Sequence, residues 1–193
     1  MGYSISLLAV QCADPDRTLS ALEITRSGQT CKYAKERLSG CALPGNWFLI
    51  VAQGCANPFL KPKILGLLSE QSALVACSIE EHVMFSSAEY WAGGALVWRV
   101  EHVGENGPVH LRTSGDLPSD FAGMAAVQMK RQEADGGKEA DVDHYFDIPL
   151  NLARSIMGFK HDEEIPGVDY DNFELLSKTT KSKVGRSWWQ IWK

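Results

Sequence analysis

Two carboxylates and an imidazole lie within four residues at Asp141-Val142-Asp143-His144. Such groups can ligate a divalent cation, and a carboxylate can orient a histidine for general base catalysis. The sequence around them lacks the regularly spaced acids, the central glycine and the closing glutamate of a calcium-binding EF-hand loop. A pair of carboxylates in this setting is more typical of an acidic surface or a helix cap. We therefore predict no metal and no cofactor here.

A second polar cluster is Glu80-Glu81-His82, which Val83 and Met84 follow directly. This order does not match the HExxH pattern of a zinc-binding helix. General acid–base catalysis by these residues would require a facing partner, such as a histidine of a neighbouring strand. A small cytoplasmic enzyme with a carboxylate and histidine site near Glu80–His82 is the alternative function that the sequence leaves open.

The remaining nucleophiles lack the spacing of known catalytic motifs. No CxxC pair occurs, which argues against zinc ribbons, iron–sulfur sites and thioredoxin chemistry, and GxSxG, SxxK and GxxxxGK[ST] are absent. We expect reduced thiols in a cytoplasmic protein, several of them in the core. His102 and His110 could become cross-strand neighbours near a catalytic cysteine, and the alternative is two half-exposed strand histidines without such a role. The five cysteines are Cys12, Cys31, Cys41, Cys55 and Cys77.

The elements that would position these residues alternate in the first third of the chain. We predict a strand over residues 3–11 and a helix that begins at Asp14-Pro15 and continues through Ile24 to about Gly28. A short helix over 30–38, a strand over 47–52 and a helix after Pro62 follow.

From residue 73 the apolar residues alternate with a period of two. Short turns separate these runs, which predicts a β-meander over about 73–114, with a strand at Val109–Thr113 crossing back from His102. Helices are predicted after Asp120 and from Asp147 to Gly158. The predicted fold is α+β, with an antiparallel or mixed central sheet and helices packed on one face.

Composition limits the class of protein. The 193 residues have a mass of 21.3 kDa and are 45% hydrophobic, which fits one α+β domain over 1–160 and a polar C-terminal extension over 161–193. The net charge of −5 argues against nucleic-acid binding. No apolar run is long enough to span a membrane, and no basic residue precedes the first apolar segment, so we predict a cytoplasmic protein.

Charge is distributed unevenly along the last third. Between Glu133 and Glu174 there are twelve acidic residues and three basic ones, a deficit of nine. The tail from Lys178 to Lys193 then carries five basic residues, no acidic residue and three tryptophans. This tail could dock on the acidic stretch of its own chain or remain mobile.

Two segments carry a resemblance to a known class of protein. Cys77–Ala88 and Asp141–Leu150 are similar to segments of uncharacterised bacterial cytoplasmic proteins. With its size, acidity and α+β pattern, the chain resembles immunity proteins that neutralise a secreted antibacterial toxin. This resemblance implies a stoichiometric inhibitor and not an enzyme, and it assigns no site residues.

We therefore predict a non-catalytic protein that binds a basic protein partner, such as a secreted toxin, through its acidic stretch. An acidic surface would cover the basic site of such a partner and accelerate the encounter. An acidic, solvated face without any partner is the alternative. The predicted contact residues are Asp141, Asp143, Asp162, Glu163, Glu164, Asp169 and Asp171, with Tyr145, Phe146 and Tyr170 as aromatic anchors.

Overall fold

The computed structural model describes residues 2–179. Most of the basic tail lies outside the described residues, including Trp188, Trp189 and Trp192.

Nine strands form one antiparallel sheet in the order β2-β9-β3-β4-β1-β5-β6-β7-β8. The strands are β1 Ser4–Gln11, β2 Ile24–Cys31, β3 Leu38–Leu43, β4 Trp47–Gln53, β5 Leu74–Glu80, β6 Phe85–Ala92, β7 Ala95–Val103, β8 Arg112–Gly115 and β9 Phe173–Lys178. The α-helices are α1 Pro15–Ala21, α2 Pro62–Ser69, α3 Phe121–Ala134 and α4 Asp147–Met157. The predicted α+β class, with a central antiparallel sheet, is confirmed.

Strand β1 lies at the centre of the sheet because it is apolar on both faces. It pairs with β4 on one side and with β5 on the other, and Leu7 lies opposite both Val51 and Cys77. Successive side chains of a strand point to opposite faces. Leu7 therefore packs in one apolar layer and Leu8 in another, and neither side chain is more than 1% exposed.

The helices cover both faces of the sheet. Leu152 of α4 packs in the same layer as Leu7, together with residues of α3, and we call this side the α3/α4 face. Leu19 of α1 and Leu65 of α2 pack with Leu8 on the other side, the α1/α2 face. The prediction that helices pack on one face is thus correct for α3 and α4 and wrong for α1 and α2. Because the central strands are apolar on both faces, helices are needed on both sides of the sheet to bury their side chains.

The predicted helix ends have the expected chemistry. The carboxylate of Asp14 accepts a hydrogen bond of 3.0 Å from the backbone N–H of Asp16, and Pro15 occupies the first position of α1. Helix α4 ends at Gly158, whose φ of +72° suits glycine and whose N–H donates to the carbonyl of Arg154. Between residues 2 and 179, no helix combines the length and apolar character needed to cross a lipid bilayer.

Residues 24–38 differ from the prediction. Helix α1 ends at Ala21, Ile24 begins β2, and the range 30–38 holds the end of β2, a turn and the start of β3 instead of a helix. Strand β2 pairs with β9, where Thr25 contacts Ser177, a residue 152 positions later in the chain. Local periodicity carries no information about so distant a partner, which explains the wrong prediction.

The predicted meander is confirmed as strands β5 to β8, each pairing with the next. Its last strand begins at Arg112 and not at Val109. His110 therefore lies just before β8, and its ring centroid is 6.2 Å from that of His102. The two histidines are close, but they are not cross-strand neighbours, because His110 precedes β8.

The sheet also includes residues beyond the predicted domain boundary at residue 160. Strand β9 lies between β2 and β3, and its side chains Phe173 and Leu176 are 0% and 3% exposed. The described part of the expected polar extension therefore contributes a core strand. Phe173 and Leu176 are hard to recognise as core residues in the sequence, because acidic residues surround them.

Candidate functional site

The ten predicted contact residues lie in the layer that covers the α3/α4 face, between the end of α3 and the start of β9. They form two groups. The first, residues 141–146, includes a short helical turn that contacts α3 and β7. The second, residues 162–171, packs around Tyr33, in the turn between β2 and β3. One acidic segment in the sequence therefore becomes two groups of residues, each with its own contacts.

Asp143 is held inside the fold. Its Oδ2 lies 2.8 Å from Nε2 of His102, whose side chain is fully buried, and its Oδ1 accepts a hydrogen bond of 3.2 Å from the N–H of Phe146. The other ring nitrogen of His102 donates to the carbonyl of His110 over 2.7 Å. Phe146 itself is only 6% exposed. Asp143 and Phe146 stabilise the fold, and neither presents the surface that the prediction required.

The rest of the first group faces outward. Asp141 is exposed and forms no ion pair with any residue from 2 to 179. Val142 beside it is 52% exposed. The Tyr145 ring is half-buried, with its centroid 6.5 Å from that of His102. Asp141, Val142 and Tyr145 together form an acidic, partly apolar surface.

The second group is organised around a buried lysine. Nζ of Lys160 lies 2.7 Å from Asp162, 3.0 Å from Asp147 and 3.7 Å from Glu163, and the lysine side chain is 4% exposed. Burial opposes the charge of Lys160, but the hydrogen bond to Asp162 and the charge of Asp147 outweigh it and raise the pKa of the lysine. Asp162 and Glu163 are therefore neutralised within the fold.

Burial and ion pairing act in opposite directions on Asp162. Burial would raise the pKa of its carboxyl, but the hydrogen bond from Lys160 and the positive charges beside it lower the pKa below its ordinary value. Glu163 also pairs with Arg154 over 2.9 Å. Glu163 thus ties the loop after α4 to the helix, whereas Asp162 pairs with Lys160 within the loop itself.

Four residues complete the second group. Glu164 is exposed and has no ion pair among residues 2–179. Asp169 closes a turn through Asn172, a contact that lowers the pKa of its carboxyl, and Asp171 pairs with Lys32 at the surface over 3.0 Å. Tyr170 donates from its hydroxyl to the carbonyl of Glu163 over 2.7 Å.

The Glu80–His82 cluster acquires a partner that the sequence did not suggest. His161, fully buried in the loop after α4, places Nε2 2.8 Å from Glu81, and the other oxygen of Glu81 accepts from the N–H of Tyr3. These residues lie 80 positions apart, so no local signal could have identified the pair.

Glu80 lies in a separate set of contacts. It accepts a hydrogen bond from the Ser4 hydroxyl and lies 2.6 Å from Nδ1 of His82, and these contacts lower the pKa of its carboxyl. The predicted cluster is therefore split into two sets of contacts, because Glu80 and Glu81 bond to different residues. His102, the strand histidine expected to face it, contacts Asp143 instead.

The five cysteines are free thiols. Burial raises the pKa of each affected thiol, to about 12 for Cys41 and Cys77, so these sulfurs stay protonated near neutral pH. Cys55 has a raised pKa from burial and from the charge of Glu80. In the part of the chain that the structure describes, no three His, Cys, Asp or Glu side chains are grouped in a way that could hold a metal ion.

No protein family model matches this chain, and no curated protein or solved structure matches it either. Its function is therefore inferred from its own residues and contacts.

Proposed function

We propose that this protein is a non-catalytic, cytoplasmic binding protein that captures a basic protein partner, as an immunity protein captures its antibacterial toxin. The observation that supports this proposal is the exposure of Asp141 and Glu164 on the α3/α4 face, without an ion pair among residues 2–179. Both belong to the segment in which acidic residues exceed basic ones by nine. A surface of this sign attracts a basic partner and accelerates its association.

Direct contact is assigned to the outward-facing members of the predicted set. Asp141, Tyr145 and the exposed Val142 offer a charge, an aromatic ring and an apolar side chain within five residues. Buried aromatic and apolar contacts supply most of the binding energy in interfaces of this kind. Asp162 and Glu163 are not assigned to direct contact, because their carboxylates are already paired with Lys160 and Arg154.

The test uses the protein encoded by the adjacent gene, since a toxin and its antidote are usually encoded together. The two purified proteins are mixed, and the association rate constant is measured at low and at high salt. Electrostatic steering predicts a marked fall of this rate constant at high salt, with a smaller effect on dissociation. A partner that binds at a rate independent of salt contradicts capture by the acidic surface.

A matched pair of double variants distinguishes the effect of this surface on association from the effect of net charge alone. Asp141→Lys with Glu164→Lys reverses the two unpaired acids of the α3/α4 face. Glu70→Lys with Asp116→Lys makes the same change in net charge at exposed acids outside both groups and outside the turn at Tyr33. We expect the first double variant to slow association at least tenfold more than the second, while both keep the wild-type circular dichroism spectrum. Equal losses in the two would show that these acids are not the interface.

A further inference from the structure

A cleft of about 380 Å³ opens on the α1/α2 face, where the meander meets the segment between β4 and α2. We propose that this cleft binds a small organic anion that also carries hydroxyl groups. The polar side chains that line it are Asn57, Lys61, Ser78, Ser87, Glu89 and Arg99. The proposal does not depend on the acidic surface, which lies on the other face of the sheet.

Cross-strand pairing builds the floor of the cleft. Ser78 of β5 lies directly opposite Ser87 of β6, and Glu89 of β6 lies opposite Arg99 of β7. Ser86 donates to the carbonyl of Phe146 on the α3/α4 face, so Ser87 points to the opposite face. The register therefore places two hydroxyls and a guanidinium side by side.

Arg99 is held in position by two carboxylates. Its Nη1 donates to Glu89 over 2.8 Å, and its Nη2 donates to Glu101. Both carboxylates are only 14% exposed, whereas the arginine side chain is 41% exposed. A guanidinium carries five N–H donors, so three remain available after these two bonds. Arg99 is thus fixed in orientation and still able to donate to an anion.

Ser87 offers a free hydroxyl to the cleft. The residue is 5% exposed, and its hydroxyl has no hydrogen-bond partner among residues 2–179. Because Ser87 lines the cleft and its oxygen is not among the fully buried, unpartnered atoms, this hydroxyl is accessible from that space. A hydroxyl or anionic oxygen of a ligand can therefore bond to it in place of water.

The opposite wall carries the second cation. Lys61 is exposed, lines the cleft and has no carboxylate partner among residues 2–179. The cations of the lining are Lys61 and Arg99, and its carboxylate is Glu89. Lys61 has no carboxylate partner in the described part of the chain and Arg99 keeps free N–H donors, so both side chains can bind an anion.

The chemistry indicates binding without a covalent step. Cys55 also lines the cleft, but burial and the nearby Glu80 raise the pKa of its thiol, which keeps the sulfur protonated and weakly nucleophilic. Apolar side chains, among them Leu60 and Phe85, form the rest of the lining. A volume of this size, with a few convergent polar groups on an apolar lining, is typical of a small-molecule site.

The test titrates the full-length protein with two hydroxylated anions, glycerol 3-phosphate and glycerate, in separate arms. Neutral glycerol is the negative control, and backbone amide NMR shifts are followed at low ionic strength. We expect saturable binding of at least one anion, with shifts confined to β5, β6, β7 and the 55–62 segment, and no binding of glycerol. The arm that binds identifies the anion as a phosphate or a carboxylate.

Two lysine variants distinguish binding of the anion in the cleft from a general attraction of the anion to cationic side chains. Lys61→Gln removes a cation that lines the cleft just before α2, and Lys63→Gln removes an exposed lysine two residues later that does not line it. We expect the first to weaken binding about tenfold, the usual effect of one charge-assisted hydrogen bond, and the second to leave it unchanged. The absence of saturable binding in both arms overturns the proposal, and so does an equal loss in the two variants.

Discussion

At the scale of single residues, the partner of an acid decides whether it belongs to the surface or to the fold. Asp143, Asp162 and Asp141 look alike in the sequence. The structure gives the first a buried histidine, the second a buried lysine and the third no ion pair among residues 2–179. Only an acid of the third kind can meet an external cation without breaking an internal contact.

Lys160 is the residue on which the second group depends, because three carboxylates surround its buried ammonium group. Replacing it in Lys160→Met leaves these acids facing one another without a cation. We expect a loss of about 2 kcal/mol in the free energy of unfolding, limited by the partial exposure of the acids. Urea titration measures this loss.

Arg154→Met is the matched control for that experiment. Arg154 also pairs with Glu163, but its side chain is 46% exposed. An exposed ion pair contributes little, so we expect a loss below about 1 kcal/mol. Equal losses in the two variants would show that burial of Lys160 does not strengthen its contacts.

The pH dependence of stability follows from Asp162 and Lys160. The folded protein lowers the pKa of Asp162, so this carboxylate stabilises the fold above its ordinary pKa of 3.8 and stops doing so as pH falls through the lowered value. Lys160 has a raised pKa, so its contribution is complete below 10.5 and is lost as pH rises through the raised value.

We therefore expect Asp162→Asn to be less stable than the wild type at neutral pH. The two curves of unfolding free energy should converge in acid, where the wild-type carboxyl is protonated as well. Urea titrations at a series of pH values between 7 and the acid limit of folding measure both curves. A constant difference across the series would mean that the charge of Asp162 does not contribute.

At the scale of elements, local sequence signals predict the segments that need only an apolar surface to pack against, whichever part of the chain supplies it. Strand β1 was predictable from its apolar run, and helix α4 from its apolar spacing and the glycine that follows it. Helix α3 was predicted as well, although two of its apolar side chains, Val127 and Met129, are exposed. Strands β2 and β9 pair with each other across most of the chain, and β2 is exposed along nearly its whole length. An exposed strand has no apolar alternation to reveal it, and the spacing of Leu19, Leu22 and Ile24 instead favoured a helix that continues to Gly28. The same limit hid the contact between Glu81 and His161.

Strand β3 depends on a glycine that no propensity rule would identify. A Cβ at Gly40 would lie 2.9 Å from the carbonyl oxygen of Leu49 and 3.0 Å from side-chain atoms of Leu176 and Phe48. We expect Gly40→Ala to lower the free energy of unfolding by about 1–3 kcal/mol, since the two neighbouring strands must move apart.

Gly123→Ala is the control, because Gly123 lies within α3 and a Cβ there meets no atom within 4 Å. Alanine restricts the unfolded chain and favours the helix, so we expect an unchanged or slightly raised stability, by at most about 1 kcal/mol. Thermal and urea unfolding compare the two variants. A Gly40→Ala protein as stable as the Gly123→Ala protein would refute the close packing of β3.

At the scale of the whole molecule, the sheet separates two kinds of surface. The α3/α4 face carries the outward-facing acids of the proposed protein interface, and the α1/α2 face carries the cleft with Lys61 and Arg99. A protein partner on one face leaves the cleft on the other face open. The two proposals can therefore be tested independently on the same protein.

The same sheet predicts how protection against hydrogen exchange is distributed. Strands β1, β4 and β5 are paired on both sides, and most of their side chains are buried. Strands β2 and β8 lie at the edges, and every residue of β8 is exposed. Central amides should exchange only when the whole domain unfolds, whereas the amides of β8 should exchange by local opening, orders of magnitude faster.

Hydrogen exchange followed by mass spectrometry, with and without a urea concentration below the unfolding transition, distinguishes global unfolding from local opening. Urea should accelerate exchange in β1 and leave β8 nearly unchanged, because local opening exposes little new surface. Equal urea dependence in the two strands would mean that β8 belongs to the same cooperative unit as the central sheet.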